Sequence, residues 1–225
     1  MARLLSAAGF STVCCTAHLI KGNFDADNAT VKAAVAALQL ELDRERIALQ
    51  LLPGREYYFD EYLPQLLSDP LTLGETQLLL IEIPNHTPVE FVKKTCYQIR
   101  RNGYIPLIAH PERCKLLASH LDNKTRKNSW SSLFSSKLKT DNSKLKTQNS
   151  ELLSYLQEIG CKFQGNIGSF AGVYGEKVKD QAETFLEQGV YDLFGSDAHR
   201  AAQLKDILRR GRQAINLVES KLDAS

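Results

Sequence analysis

Six short apolar runs, each separated from the next by a stretch with helical periodicity, constrain the fold of this chain most. They are STVCCT (11–16), IALQLLPG (47–54), LLLIEI (78–83), IPLIAH (105–110), KFQGNI (162–167) and YDLFGS (191–196). Continuous apolar runs of this length are typical of strands buried on both faces of a parallel sheet. The alternation therefore predicts an α/β domain with a parallel sheet, either a barrel or a doubly wound layer.

The predicted helices fill the stretches between these runs, at residues 25–46, 88–102, 150–159, 174–188 and 200–220. Glycines at 103, 160 and 189 stand where three of these helices are expected to end. A further helix-like segment, residues 2–8, comes before the first strand, although a βα series normally opens with a strand. We therefore expect the first strand of the fold to be missing from this sequence.

The chain has 225 residues, enough for one α/β domain, and we predict a single domain over residues 1–225. Residues 118–149 differ from the rest: they are polar and contain the tandem copies SKLKTDN and SKLKTQN. One leucine per copy cannot form a coiled-coil seam. We predict a flexible surface insert, with a basic docking arm for an acidic partner as the alternative.

Charge and composition exclude several classes of protein. The formal net charge of +2 divides into +5 over residues 118–149, from seven basic and two acidic side chains, and −3 elsewhere, which argues against a nucleic-acid-binding domain. No apolar run approaches the roughly 20 residues that span a bilayer, so we predict no membrane span and no signal peptide. Five cysteines without CxxC pairs indicate reduced thiols in a cytoplasmic protein.

Histidines and carboxylates stand at the ends of five predicted strands: His18, Glu56, Glu82, His110, Asp197 and His199. The carboxyl ends of barrel strands form one rim, where active sites lie, so we expect these side chains to meet. A mixed imidazole and carboxylate set suits Mn²⁺, Zn²⁺ or Fe²⁺ better than Ca²⁺. Arg113 adds a planar donor for a phosphate group. The pattern predicts metal-assisted hydrolysis of a phosphate ester.

Each of these residues alone has a structural interpretation. A histidine in an apolar strand is more often a hydrogen-bonded core residue, and Glu56 or Glu82 could cap a helix. HPER (110–113) and SDAH (196–199) could be helix starts. Their joint placement at one end of successive strands favours the metal site. No HExxH, GxSxG, Walker A or GxGxxG motif is present, and no cysteine has an arginine six positions on.

The segments LLPGREYYF, LLIEIP, GYIPLIAHPER and FGSDAH, in this order, resemble the PHP-type protein-tyrosine phosphatases of bacterial capsule and exopolysaccharide clusters, the CpsB type. TAHLIKGNF is similar to the TPHH strand-end segment of that family, with Ala17 in place of the proline and Leu19 in place of the second histidine. The resemblance covers essentially the whole chain except residues 118–149.

The resemblance implies a distorted (β/α)7 TIM-like barrel with a metal cluster, usually manganese, that hydrolyses phosphotyrosine on a tyrosine autokinase. The residues at the family's metal positions are His18, Glu56, Glu82, His110, Asp197 and His199. Arg113 would hold the phosphate, and Asp197 or His199 would assist the leaving phenolate. The family's D-x-H-x-H strand has no counterpart here, which implies fewer ligands and exposed sheet edges that favour a homo-oligomer.

Three explanations of that missing strand stay open: a start codon set too far downstream, an inactive remnant, or a chain that keeps fewer metals and weak activity. Two other functions stay open as well. One is a PHP phosphatase for a small molecule such as histidinol phosphate. The other is a non-catalytic module, a degenerate barrel that binds a kinase or a polysaccharide-export partner.

Overall fold

A computed structural model of the chain describes residues 1–118 and 151–222. The described residues contain one sheet of six parallel strands, arranged in chain order. The strands are β1 (Thr12–Leu19), β2 (Gln50–Tyr58), β3 (Leu78–Glu82), β4 (Ile105–Ala109), β5 (Lys162–Asn166) and β6 (Leu193–Gly195). The predicted α/β architecture with a parallel sheet is confirmed.

Helices connect these strands. They are α1 (Ala2–Ala7), α2 (Asn28–Arg44), α3 (Leu63–Leu66), α4 (Val89–Arg101), α5 (151–158), α6 (Ile167–Phe170), α7 (Glu176–Glu187) and α8 (Leu204–Leu222). A 3₁₀ turn, Pro111–Arg113, follows β4. The start of α2 illustrates the local rules: the Asp27 carboxylate accepts a hydrogen bond from the Thr30 amide at 2.7 Å and so caps the helix.

The sheet is curled into a half-barrel. In a flat sheet the first and sixth strands would lie about 24 Å apart, at about 4.8 Å per neighbouring pair. Instead, the rings of His18 in β1 and His199 after β6 have centroids 5.8 Å apart. In the described ranges β1 and β6 are the sheet edges and do not pair with each other. These residues therefore form a six-stranded half-barrel, where the family resemblance implied a seven-stranded barrel.

Alternation along the strands separates the core into an outer and an inner layer. In β3, Leu79 and Ile81 belong to the main core cluster, together with Val92, Cys96 and Ile99 of α4. Leu80 belongs to a smaller inner cluster with Leu73, Leu107 and Ala109. Because side chains two residues apart share a face, Glu82 lies on the same inner face as Leu80. The alternation thus directs a carboxylate into the half-barrel.

Strands β1 and β2 extend beyond their predicted ends, which is a correction to the sequence analysis. The sequence predicts that the second strand ends at Pro53-Gly54, but the ladder continues to Leu19 opposite Tyr57. Gly54 serves close packing here, because a Cβ at this position would lie 2.9 Å from Leu73 Cδ2. As a result, His18 and Glu56 lie inside paired strands and not after them.

The predicted insert at 118–149 lies, apart from Ala118, outside the described residues. Over residues 1–118 and 151–222, none of the helices combines the length and the apolar character needed to cross a membrane.

Candidate metal centre

Strand register brings three of the predicted ligands together. His18 pairs directly with Glu56 across β1 and β2, and Tyr58 pairs with Glu82 across β2 and β3. Paired residues of parallel strands point to the same face, and Glu56 and Tyr58 share a face because they are two residues apart. The ligand atoms of His18, Glu56 and Glu82 consequently lie within 4.8 Å of one another.

His110 joins this group from the end of β4. Its Nε2 lies 3.2 Å from Glu56 Oε1 and 3.9 Å from Glu82 Oε1. Its backbone is left-handed, with φ of 33° and ψ of 57°, a conformation that costs a non-glycine residue free energy. The His110 amide donates to the Gln164 carbonyl at 2.9 Å, so β5 helps to hold this backbone.

Electrostatics favour charge on both members of the Glu56–His110 pair. Burial opposes ionisation of Glu56, but the hydrogen bond and charge of His110, with the charges of His18 and Arg113, lower the pKa of Glu56 below its ordinary value. Burial likewise opposes protonation of His110, yet the hydrogen bond to Glu56 and the nearby carboxylates raise the pKa of His110. A metal ion bound by this pair would take the place of the His110 proton, because a histidine binds a metal through an unprotonated nitrogen.

The His18 side chain tests whether this group fits a metal ion. Its Nδ1 is buried and has no hydrogen-bond partner among the described residues. The nearest carboxylate oxygen, Glu56 Oε2, is 3.8 Å away, beyond hydrogen-bond distance. A buried polar atom without a partner is costly unless a ligand satisfies it. Together with two carboxylates, this imidazole fits a divalent ion of the Mn²⁺, Zn²⁺ or Fe²⁺ type.

A buried arginine holds the end of β1 in place. Arg55 is 1% exposed and donates to the His18 carbonyl at 3.3 Å, to Asn28 Oδ1 at 3.2 Å and to the Ala26 carbonyl. Burial lowers the pKa of Arg55. No role for Arg55 was predicted from the sequence, because the predicted strand ends at Gly54 and Arg55 lies just beyond it. Arg55 links the backbone of a candidate ligand to the start of α2.

The other half of the site is centred on Asp197, which has a left-handed φ of 45°. Its Oδ2 accepts hydrogen bonds from Arg113 Nη1 at 3.0 Å, Asn166 Nδ2 at 3.0 Å and the Tyr174 hydroxyl at 3.4 Å. The Arg113 guanidinium lies over the Tyr174 ring, 4.3 Å from its centroid. His199 Nδ1 lies 3.0 Å from the Asp197 carbonyl and 3.5 Å from Oδ1.

The predicted site residues therefore form two adjoining groups. His18, Glu56, Glu82 and His110 form one group; Arg113, Asp197 and His199 form the other. The stacked rings of His18 and His199 connect them. The His199 side chain is 64% exposed and Asp197 Oδ2 already has three donors, so Asp197 Oδ1 is the oxygen left for another partner.

Two residues that support the second group were not predicted from the sequence. No strand-end pattern pointed to Tyr174, which lies in the loop after α6. Glu112 was considered only as a helix-start residue, but it is 3% exposed and accepts from the Asn166 amide and the Tyr191 hydroxyl, both at 3.0 Å. Burial and Glu112 raise the pKa of Tyr191 well above its usual range. Glu112 thus fixes the HPER turn against β5.

Comparisons with known proteins identify the family to which this chain is similar. The profile of the family "Capsular polysaccharide synthesis, CpsB/CapC" matches residues 1–128. The tyrosine-protein phosphatase YwqE of Bacillus subtilis (strain 168) is 30% identical over 202 residues, which cover 88% of this chain and 68% of YwqE. CapC of Staphylococcus aureus is 28% identical over 109 residues, which cover 48% of this chain and 43% of CapC.

Structural similarity extends over nearly the whole chain. A chain from the crystal structures of YwqE from Bacillus subtilis and CpsB from Streptococcus pneumoniae, described as unique metal-dependent tyrosine phosphatases, superimposes with a TM-score of 0.71 and 27% identity. The match covers 99% of this chain and 83% of the other. From the family profile, the sequence relatives and the shared fold, this chain belongs to the CpsB/CapC family of capsular polysaccharide synthesis.

Proposed function

We propose that this protein is a metal-dependent tyrosine phosphatase that acts in capsular or exopolysaccharide synthesis. The observation that carries the proposal is the convergence of His18, Glu56 and Glu82, with ligand atoms within 4.8 Å, beside Arg113 on the same rim of the half-barrel. The relatives named as tyrosine phosphatases, and the structure described as metal-dependent, support the choice of reaction.

His18, Glu56, Glu82 and His110 would hold the metal, and Asp197 Oδ1 and His199 would complete the ligand set. We propose Mn²⁺, with Zn²⁺ and Fe²⁺ as the alternatives that the same donor types accept. A bound divalent ion supplies a Lewis acid that neutralises phosphate charge and lowers the pKa of water.

Arg113 would orient the phosphate. One N–H of its guanidinium donates to Asp197, which leaves other donors of the fork for phosphate oxygens. The Tyr174 ring beneath it and the carboxylate beside it hold the guanidinium plane before substrate binds. This preorganisation reduces the free energy spent on ordering a long side chain.

His199 has two alternative roles in this proposal, as a metal ligand or as the group that gives a proton to the leaving group. Its Nδ1 faces the Asp197 carbonyl, so the Nδ1 proton is held there and Nε2 is left for the metal ion or for the substrate. A tyrosine phenolate has an ordinary pKa of about 10 and needs less proton transfer than a serine alkoxide. A partly exposed histidine can therefore be a sufficient proton donor for the hydrolysis of a phosphotyrosine ester.

We further propose that the substrate is a phosphotyrosine protein, namely a bacterial tyrosine autokinase, and that the protein works in the cytoplasm. The five free cysteines agree with a reducing compartment. The single domain and the polar insert remain predictions, as does a homo-oligomer.

The test is phosphate release from a phosphotyrosine peptide by the full chain loaded with Mn²⁺. We expect turnover that chelation abolishes and that Mn²⁺ restores, and a Glu61→Gln variant, which changes an exposed carboxylate, should match the wild-type chain. Turnover of histidinol phosphate but not of the peptide would favour the small-molecule alternative. Absence of turnover with both substrates would contradict a phosphatase role.

A further inference from the structure

Two exposed aromatic side chains stand at the mouth of the site. Phe24 is 55% exposed, and its ring centroid lies 5.9 Å from that of His18. Tyr174 is 38% exposed and lies under Arg113. By contrast, Tyr97, 49% exposed, lies on α4. Phe24 is the most exposed of these rings. A single exposed ring is common on protein surfaces, so the informative observation is the contact of Phe24 with the ring of a candidate ligand.

A well-defined turn fixes the backbone of Phe24. The Phe24 amide donates to the Ile20 carbonyl at 2.8 Å, and the Ile20 amide donates to the Phe24 carbonyl at 3.3 Å. Gly22 has a φ of 84°, which favours glycine, and its amide donates to both oxygens of Asp25 at 2.9 Å. Buried Arg55 donates to the carbonyl of Ala26 in the same loop. The turn therefore fixes the point at which the Phe24 side chain leaves the backbone.

Phe24 also ends a row of three rings. Phe24 and His18 are tilted by 38°, and His18 and His199 are stacked at 23° with centroids 5.8 Å apart. The two inner rings belong to the candidate ligands. A phosphate held between this group and Arg113 would place its ester group at the mouth, where Phe24 lies. An aryl ring gains an offset or edge contact with Phe24 that a short alkyl chain does not.

We propose that Phe24 is a specificity-determining residue that packs against the aromatic ring of the substrate. The site would then prefer aryl phosphate esters to alkyl ones. This inference rests on the proposed function, because it assumes that the phosphate binds beside His18 and Arg113.

The experiment measures binding of phenylphosphonate and methylphosphonate to the Mn²⁺-loaded full chain by isothermal titration calorimetry. Neither probe is hydrolysed, so the readout is independent of turnover. We expect the wild-type chain to bind phenylphosphonate more tightly. Phe24→Leu should weaken phenylphosphonate about 2- to 10-fold, the value of one aromatic contact, and change methylphosphonate less than about 2-fold. Phe24→Tyr keeps the ring and should retain the preference.

Tyr97→Leu is the matched control, because it removes an exposed ring elsewhere and should leave both affinities unchanged. Equal binding of the two phosphonates by the wild-type chain would overturn the inference, as would binding of neither. An equal loss of both in Phe24→Leu would also overturn it, because Phe24 would then act only by supporting His18. If the aryl preference holds but no phosphotyrosine is turned over, the proposed reaction fails and the Phe24 assignment stands.

Discussion

The two halves of the site differ in how far the protein satisfies its own polar groups. On β1 to β4, one hydrogen bond joins His110 to Glu56, and His18 Nδ1 is buried without a hydrogen-bond partner among the described residues. On the β5 and β6 side, Asp197 Oδ2 accepts hydrogen bonds from three donors. Arg113 contacts both the Asp197 carboxylate and the Tyr174 ring. The first half contains a buried ligand atom without a partner in the described ranges, whereas in the second half Asp197 Oδ2 and Arg113 are held by hydrogen bonds and Asp197 Oδ1 is left for a ligand.

This difference suggests that the two halves have different functions. Carboxylates and imidazoles that are crowded together without enough donors are stabilised by a divalent cation. A guanidinium already fixed by neighbours is suited to orient an anion. Variants in the first half should therefore change metal affinity, whereas variants of Arg113 and Tyr174 in the second half should change substrate binding and turnover alone.

The largest effect is expected for Glu56→Gln, which keeps the shape of the side chain and removes its charge. Glu56 contacts both His18 and His110, so we expect Mn²⁺ affinity to fall by more than about 100-fold, and phosphatase activity with it. Calorimetric titration with Mn²⁺ checks this, with Glu61→Gln as the exposed control. Unchanged Mn²⁺ binding in Glu56→Gln would remove the first half from the metal site.

Arg113→Met should distinguish the functions of the two halves, because it should lower catalytic efficiency without changing metal affinity. We expect kcat/KM for a phosphotyrosine peptide to fall about 10- to 100-fold, because one preorganised donor for the phosphate is lost. Mn²⁺ affinity should stay within about 2-fold of the wild-type value. The control is Arg101→Met, an exposed arginine on α4. A large loss of metal binding in Arg113→Met would contradict the division between the halves.

Arg55→Lys should weaken metal binding by the first half indirectly, because Arg55 contacts the backbone of His18 and is not itself a candidate metal ligand. Lysine keeps a charge but cannot reproduce the three planar contacts that hold the His18 carbonyl, Asn28 and Ala26. We expect Mn²⁺ affinity to fall about 5- to 10-fold, with activity restored at higher Mn²⁺. Thermal unfolding measured alongside shows whether the fold is kept. Activity that stays low at saturating Mn²⁺ would show that Arg55 does not act through His18.

The smallest effect is expected at Tyr174. Tyr174→Leu removes the ring under Arg113 and should lower kcat/KM about 2- to 5-fold, the range for an exposed cation–π contact. Tyr174→Phe keeps that ring and loses the 3.4 Å contacts of the hydroxyl to Asp197 Oδ2 and Asn166 Nδ2, so it should lie closer to the wild type. Steady-state kinetics compare the two. Equal losses would assign the effect to the hydroxyl and not to the ring.

Strand-end reasoning predicted much of this site because it depends on topology. Parallel strands in chain order bring their carboxyl ends to one edge, so His18, Glu82 and Asp197 could be expected together without any side-chain geometry. The same reasoning was less accurate about where along a strand each residue lies. Pro53 and Gly54 resemble a strand end, but the glycine is there for contact with Leu73, which is remote in sequence.

The residues that sequence reasoning missed have roles set by contacts across the fold. Tyr174 matters because α6 and the loop after it place its ring under Arg113, which is 61 positions earlier in the chain. Glu112 matters because the Asn166 amide and the Tyr191 hydroxyl face it. Periodicity reports which face of an element is buried, but it does not report which donor meets which acceptor.

Anomalous diffraction from crystals of the full chain soaked in Mn²⁺ tests the central claim most directly. We expect a manganese peak among the ligand atoms of His18, Glu56 and Glu82, and the loss of that peak in Glu56→Gln. A wild-type map with no peak at these residues, or with a peak only on the Arg113–Asp197 side, would contradict it.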